Sequence, residues 1–173
     1  MTRDEILRPR IRLFTVVFIV GLLVSGATAI PLRAEVDLLA RTLGADGSGS
    51  SLSGEIVLWL GKVREALRVV EERFPFLAYG ADWLAFGHFV IAMAFLGPLR
   101  DPVRNRWLYQ FGMLACALVI PYAFVFGALR GIPLWWRLID CSFGVFGFIP
   151  LWFCNKWTAE LERVGALGQA KVF

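Results

Sequence analysis

The stretch from Trp107 to Leu129, WLYQFGMLACALVIPYAFVFGAL, contains no charged side chain. A helix that crosses the hydrocarbon core of a bilayer needs about 20 predominantly apolar residues. This stretch meets that length, and it is more apolar along its whole length than a surface helix of a soluble domain. It predicts that the chain is an integral membrane protein.

Three further stretches meet the same criterion. Leu13–Leu32 is uncharged, and Trp83–Leu99 contains His88 as its only ionisable side chain. A fourth stretch carries Arg137 and Asp140 near its start. The sequence therefore predicts an all-α, integral membrane four-helix bundle. We expect a single membrane domain over residues 1–173, with spans at about 13–32, 83–99, 107–129 and 133–154.

The composition supports this class. Hydrophobic residues make up 58% of the chain and charged residues 18%, whereas soluble domains average about 45–50% and about 25%. These values exclude a disordered chain and disfavour a nucleic-acid-binding module, although the net charge is +4. Cys116, Cys141 and Cys154 all fall in apolar runs, which predicts buried small side chains. With a single His, a zinc site of ordinary Cys/His composition is not expected.

The basic residues predict an orientation. Lys and Arg concentrate in the first twelve residues, in the turn Arg100–Arg106 and in the carboxyl-terminal tail. Short basic flanks favour the cytoplasmic side, so both termini are predicted to be cytoplasmic. The basic amino terminus and Ala27-Thr28-Ala29 also resemble a signal peptide with its cleavage site. We expect this segment to be retained as the first span.

Residues 33–81 form the predicted external segment. Residues 44–54 contain four Gly and four Ser and predict a flexible linker. Before it, Glu35–Leu43 reads as a short amphipathic helix. After it, Glu55–Phe74 carries apolar residues at helical spacing. This seam either lies against the membrane surface or the bundle, or docks a partner or a second copy through Ile56, Leu60, Val63, Leu67 and Val70.

Small residues predict close helix packing within the membrane. The first span offers Gly21 and neighbouring small residues at four-residue steps, the third offers Gly112 with Cys116, and the fourth offers Gly144 and Gly147.

Four polar side chains are predicted to share one depth near the outer face. At 1.5 Å per residue, His88 and Asp140 each lie roughly 9–10 Å inward from the outer end of their span, and Tyr122 lies at a similar depth. Arg137 is three residues before Asp140 and either pairs with it or extends outward. The cluster is either a structural clasp or a small ligand site. The candidate ligand-binding residues are His88, Asp140, Arg137 and Tyr122.

The sequence requires no cofactor, but a haem with His88 as one axial ligand, or a quinone, is an option for this cluster. On the cytoplasmic side, Arg100, Arg104 and Arg106 are predicted to contact lipid head groups. No phosphate-binding loop, catalytic triad or metalloprotease motif occurs.

Three runs resemble an uncharacterised group of small bacterial four-span membrane proteins. They are FLAYGADWLAFGH at 76–88, GPLRDPVRN at 97–105 and WRLIDCSFG at 136–144. The resemblance implies a bacterial inner-membrane location and implies no activity.

Two functions follow as hypotheses. The first is a non-enzymatic accessory or interaction subunit that binds a larger membrane complex or lipid. The second is a ligand- or redox-cofactor-binding membrane protein that holds a quinone, lipid or haem near His88 and Asp140. The expected partners are the lipid bilayer and other membrane proteins or a second copy, but not nucleic acid. A transporter is disfavoured for a monomer, since four short spans leave little room for alternating access.

Overall fold

A computed structural model describes residues 3–42 and 54–170, with side chains described as far as residue 164. The described residues form helices and short turns, and none of them lies in a strand, which confirms the all-α prediction. A single 3₁₀ turn spans Pro75–Leu77. The helices are α1 (Arg3–Ala29), α2 (Leu32–Thr42), α3 (Gly54–Arg73), α4 (Tyr79–Ala94), α5 (Leu96–Arg100), α6 (Arg106–Leu129) and α7 (Leu134–Ala170).

Four helical segments are long and apolar enough to cross a membrane: Arg3–Ala29, Pro75–Arg100, Arg106–Leu129 and Leu134–Val164. This confirms the number of predicted spans. The helices around the first and last spans are longer than predicted, because hydropathy marks only the apolar part of a helix that continues into polar flanks. With 37 residues, α7 measures about 55 Å, well beyond the roughly 30 Å of a hydrocarbon core.

The chain divides into two compact units. Unit 1 comprises Met1–Gly21 and Ile91–Phe173, and unit 2 comprises Leu22–Val90. The boundaries between the units fall inside α1 and α4.

In unit 1, a sharp turn joins α6 to α7. Gly131 has a φ of +67°, a left-handed conformation that glycine adopts without steric cost. The amide of Ile132 donates to the carbonyl of Gly127 at 2.9 Å, which satisfies a carbonyl at the end of α6. Pro133 then starts the next helix, so the two helices are neighbours along the chain and in space.

The core of unit 1 joins α1, α6 and α7 with Phe95, which lies between α4 and α5. Aromatic rings extend it, with the Phe14 and Trp157 ring centroids 5.2 Å apart and those of Phe18 and Phe95 4.7 Å apart. Its buried members are Leu7, Ile11, Phe95, Tyr109, Leu151, Cys154 and Leu161.

Glycines set the distance between α6 and α7. A Cβ atom added to Gly144 would lie 2.6 Å from the carbonyl oxygen of Cys116, and one added to Gly147 would lie 2.9 Å from the Sγ atom of Cys116. The small residues noted on these two spans therefore sit where the helix backbones approach. On α1 the expectation fails for Gly21, which has no atom within 4 Å of an added Cβ, because this glycine is on the exposed side of the helix.

In unit 2, α2 and α3 form an antiparallel hairpin. Arg64 Nε donates to Asp37 Oδ1 at 2.7 Å, and Arg33 pairs with Glu71. Earlier residues of α2 therefore face later residues of α3, as in an antiparallel pair. Helices thus occupy both amphipathic stretches, while Leu43 and linker residues 44–53 lie outside the described residues. The side chains buried in the hairpin are those of Val36, Ala40 and Leu60. Leu39, three residues after Val36 on α2, is 39% exposed.

We expect Leu60→Ala to destabilise the hairpin by about 2–5 kcal/mol, because it removes a buried side chain and leaves a cavity. Leu58→Ala is the matched control, since Leu58 is 70% exposed, and it should change stability by less than about 1 kcal/mol. Amide hydrogen exchange of α2 and α3 measures the difference. Equal protection in the two variants would show that α2 does not pack on Leu60.

Candidate functional sites

His88 lies on α4 in unit 2 and is half-buried. Its Nδ1 atom is 2.8 Å from the carbonyl oxygen of Leu84, one turn earlier. A carbonyl oxygen only accepts, so Nδ1 carries the proton and Nε2 keeps its lone pair. The backbone around it is tightly packed, since a Cβ atom added to Gly26 on α1 would lie 3.0 Å from His88 Cβ and 3.1 Å from the Ala85 carbonyl oxygen. The histidine is thus held in one tautomer with one ring nitrogen available.

Arg137 and Asp140 lie on α7 in unit 1, and the structure does not pair them. The stem of Arg137 packs directly over Gly127 of α6, and its Nε atom is buried without a hydrogen-bond partner in the described part of the chain. Asp140 is half-buried, and no ion pair involves it among the described residues. Packing over a glycine directs Arg137 across to α6 instead of along its own helix.

Tyr122 lies on α6, also in unit 1, and is 65% exposed. Its ring stacks on Phe126 with the centroids 4.5 Å apart. This places the side chain on the outer surface of the helix, away from Arg137. Among the described residues of unit 1, no hydrogen bond or ion pair joins Tyr122, Arg137 and Asp140.

The apolar seam of α3 is divided between two environments. Leu60 is buried in the hairpin, at 1% exposure, whereas Leu67 and Val70 line an open groove. Ile56 and Val63 are half-buried. One end of the seam thus packs within the chain and the other end is open.

The groove has a volume of about 730 Å³ and lies entirely in unit 2. The turn between α1 and α2, the start of α2, one face of α3, the 3₁₀ turn and the start of α4 line it. This volume is within the range of roughly 300–1,000 Å³ that binding pockets show. Most of its wall is apolar, formed by Ile30, Pro31, Leu32, Ala34, Leu67, Val70, Leu77, Ala78 and Ala81.

Three charged residues line the groove: Arg33, Asp37 and Glu71. Arg33 donates a hydrogen bond to Glu71, which raises the pKa of the Arg33 guanidinium, and Asp37 is 3.9 Å from Arg33. On the outer face of α3, hydrogen bonding from Arg68 lowers the pKa of the Glu65 carboxyl. Exposed ion pairs contribute little to stability, but those of Arg33 hold the three charged residues of the groove lining together.

The three arginines predicted to meet lipid head groups differ in their surroundings. Arg106 Nε donates to Asn155 Oδ1 at 2.9 Å, and its NH1 group pairs with Glu162 at 2.7 Å. Arg100 and Arg104 are exposed. The guanidinium of Arg106 is thus engaged within unit 1, while the other two are open to a ligand.

A buried polar cluster in unit 1 has no counterpart in the sequence predictions. The Thr15 hydroxyl donates to the carbonyl oxygen of Ile11 at 2.7 Å and is 2.8 Å from the Tyr109 hydroxyl. The Sγ atom of Cys154 is 3.7 Å from Thr15 and 3.6 Å from the same carbonyl. Thr15, Tyr109 and Cys154 are fully buried. The cluster joins α1, α6 and α7 through groups that satisfy one another.

One signal in the sequence could have indicated this cluster. Thr15 is the only hydroxyl residue in the first half of the first span, and a membrane helix usually turns such a group towards another helix. Which tyrosine it meets depends on the packing, since Tyr109 and Tyr122 are both in the third span.

No protein family model, curated protein or solved structure matches this chain.

Proposed function

We propose that this multi-pass membrane protein is a non-enzymatic accessory or interaction subunit of a membrane complex, with both termini in the cytoplasm of a bacterial cell. Four helices are long and apolar enough to span the membrane. The observation that carries the proposal is the open end of the α3 seam, where Leu67 and Val70 line the groove.

The groove suits an apolar segment of another membrane protein. Most of its lining is apolar, and its charged members, Arg33, Asp37 and Glu71, pair with one another. An amphipathic helix that enters a groove uses apolar anchor residues, while its polar face stays at the rim. Because α2 already covers Leu60, the docking surface consists of Leu67, Val70, Leu77 and Ala81, together with Ile30 of the turn between α1 and α2.

The proposed orientation is based on the basic flanks of the spans. The proposed bacterial location is based on the sequence resemblance. The amino-terminal Arg residues, the turn Arg100–Arg106 and the carboxyl-terminal tail share one side if four spans are threaded in order. The groove, which follows α1 and precedes α4, then belongs to the opposite side.

The experiment is native mass spectrometry of the gently extracted protein, with photo-crosslinking from the groove. A photoreactive amino acid at position 70 should give a discrete heteromeric crosslink at fixed stoichiometry. The same group at position 58, on an exposed site of α3 outside the groove lining, should not. Crosslinks of equal yield from both positions, or a monomeric species free of protein partners, would contradict the accessory role.

A second candidate function is supported by the geometry of His88. With Nδ1 held by the Leu84 carbonyl, Nε2 is oriented as a metal- or haem-ligating histidine normally is. A redox cofactor on this nitrogen would give the purified protein a visible spectrum.

We expect His88→Ala to leave folding and absorption spectrum unchanged if the accessory role is correct, because the imidazole then makes only one hydrogen bond to its own helix. The measurement is the absorption spectrum together with the thermal unfolding of both proteins. A haem or quinone band that is present in the wild type and absent in the variant would establish the second function in place of the first.

A further inference from the structure

Positive charge is concentrated in unit 1. This unit contains twelve Lys and Arg against six Asp and Glu, whereas unit 2 contains six against eight. The net positive charge of the chain therefore arises in unit 1 alone. Eleven of its cations lie in the part of the chain that the structure describes. Arg130 and Arg137 lie near the α6–α7 turn, so the other nine belong to the end that contains the start of α1 and the tail of α7.

Hydrogen bonds place several of these cations at one level. Cys154 Sγ contacts the Ile11 carbonyl at 3.6 Å, and Arg106 Nε donates to Asn155 Oδ1 at 2.9 Å. Arg12 follows Ile11, and Lys156 follows Asn155. Arg12, Arg106 and Lys156 thus lie at the same height on three neighbouring helices.

The acidic residues of this end neutralise only part of the charge. Glu160 pairs with Arg3 at 2.5 Å, Asp4 with Arg8 at 2.8 Å and Glu162 with Arg106 at 2.7 Å. Within the part of the chain that the structure describes, the remaining cations near this level have no ion pair. We call these exposed residues the basic collar: Arg10, Arg12, Arg100, Arg104 and Lys156.

Exposed apolar surface begins directly beside the basic collar. Leu13 is 60% exposed and follows Arg12, and Trp107 is 59% exposed. The Lys156 ammonium is 5.2 Å from the centre of the Trp152 ring. Exposed tryptophans typically lie at the boundary between hydrocarbon and head groups, so the basic collar is at head-group depth.

The backbone that carries Arg100 and Arg104 is held in place. Asp101 Oδ1 accepts the amide of Arg104 at 3.1 Å, and Asn105 Nδ2 donates to the Asp101 carbonyl at 2.9 Å. Asn105 in turn packs on Gly97, where an added Cβ would lie 3.2 Å from its Oδ1 atom. A turn that is ordered in advance loses little backbone entropy when a ligand binds.

We propose that the basic collar binds the phosphate groups of anionic phospholipids in the leaflet next to the chain termini. The ligand must be anionic beside Arg12 and apolar beside Leu13, and a phospholipid combines both properties within one molecule. An acidic protein would match the cations but would leave the adjacent tryptophans uncovered. The inference rests on membrane insertion and not on the accessory role, so the two proposals fail independently.

The test is native mass spectrometry of the chain released from nanodiscs that contain phosphatidylglycerol and phosphatidylcholine in equal amounts. The wild type should retain phosphatidylglycerol in preference. Each cation near an anionic surface contributes about a fivefold change in binding, so R100Q/R104Q should weaken retention by roughly 25-fold. The matched control is R41Q/R73Q, which removes the same charge from exposed positions of unit 2 and should leave retention unchanged.

If R100Q/R104Q does not fold, the variant R12Q/K156Q is measured in the same assay and should show the same loss of phosphatidylglycerol retention. Equal retention by collar and control variants would overturn the proposal, as would equal retention of the two lipids by the wild type. A collar that binds soluble polyglutamate but shows no preference between the lipids would assign the surface to an acidic protein instead.

Discussion

Replacing Gly144 by leucine is expected to destabilise the protein by about 3 kcal/mol or more, at the upper end of overpacking effects. The added Cβ atom would lie 2.6 Å from the backbone carbonyl oxygen of Cys116. A backbone atom cannot move aside as a side chain can, so α6 and α7 must separate. The loss should appear as a lower thermal unfolding temperature in detergent and a lower yield of monodisperse protein.

Gly21→Leu is the matched control, because Gly21 also lies in a membrane helix and nothing lies within 4 Å of its added Cβ. It should be neutral or slightly stabilising, since leucine favours helix more than glycine does. If both variants unfold at the wild-type temperature, α6 and α7 do not approach as closely as the structure indicates.

Replacing Tyr109 by alanine is expected to destabilise the protein by about 3–5 kcal/mol, as large aromatic deletions in cores do. Tyr109 is fully buried, its ring is 6.3 Å from that of Phe95, and its hydroxyl contacts Thr15 at 2.8 Å. The substitution leaves a cavity and removes one partner of the Thr15 hydroxyl. Thermal or denaturant unfolding in detergent measures the change.

Tyr122→Ala is the comparison variant, on the same helix and of the same chemistry. Tyr122 is 65% exposed and contacts Phe126, so its removal should cost less than about 1 kcal/mol. A larger loss for Tyr122→Ala than for Tyr109→Ala would reverse the assignment of buried and exposed tyrosines and restore Tyr122 to a polar layer.

The sequence could predict the helices because hydropathy is a local property. Leu13–Leu32 and Trp107–Leu129 are uncharged over enough residues to span a bilayer, and α1 and α6 cover nearly all of both. It could not predict how far α7 continues past Cys154, because that extension depends on partners distant in sequence. Glu160 pairs with Arg3 and Glu162 with Arg106.

The candidate site was harder to predict, because depth along a helix does not give direction around it. Tyr122 and Asp140 have similar predicted depth, yet Tyr122 is largely exposed and Arg137 packs over Gly127 instead of pairing with Asp140. Tyr109 and Thr15 meet because α1 and α6 pack together at that level, a fact of tertiary structure. The residue types of Thr15 and Tyr109 alone could not predict this contact.

The most direct test of the proposed topology is cysteine labelling in intact cells with a membrane-impermeant maleimide. One added cysteine at a time would replace Arg104 or Arg163 on one predicted face, and Arg41 or Arg130 on the other. The unsubstituted chain is labelled in parallel, so that any signal from its own half-buried Cys116 and buried Cys141 and Cys154 is subtracted. We predict labelling of positions 41 and 130 in intact cells, and of positions 104 and 163 only after permeabilisation. Labelling of 104 and 163 from opposite faces would contradict the four-span arrangement and, with it, the basic collar.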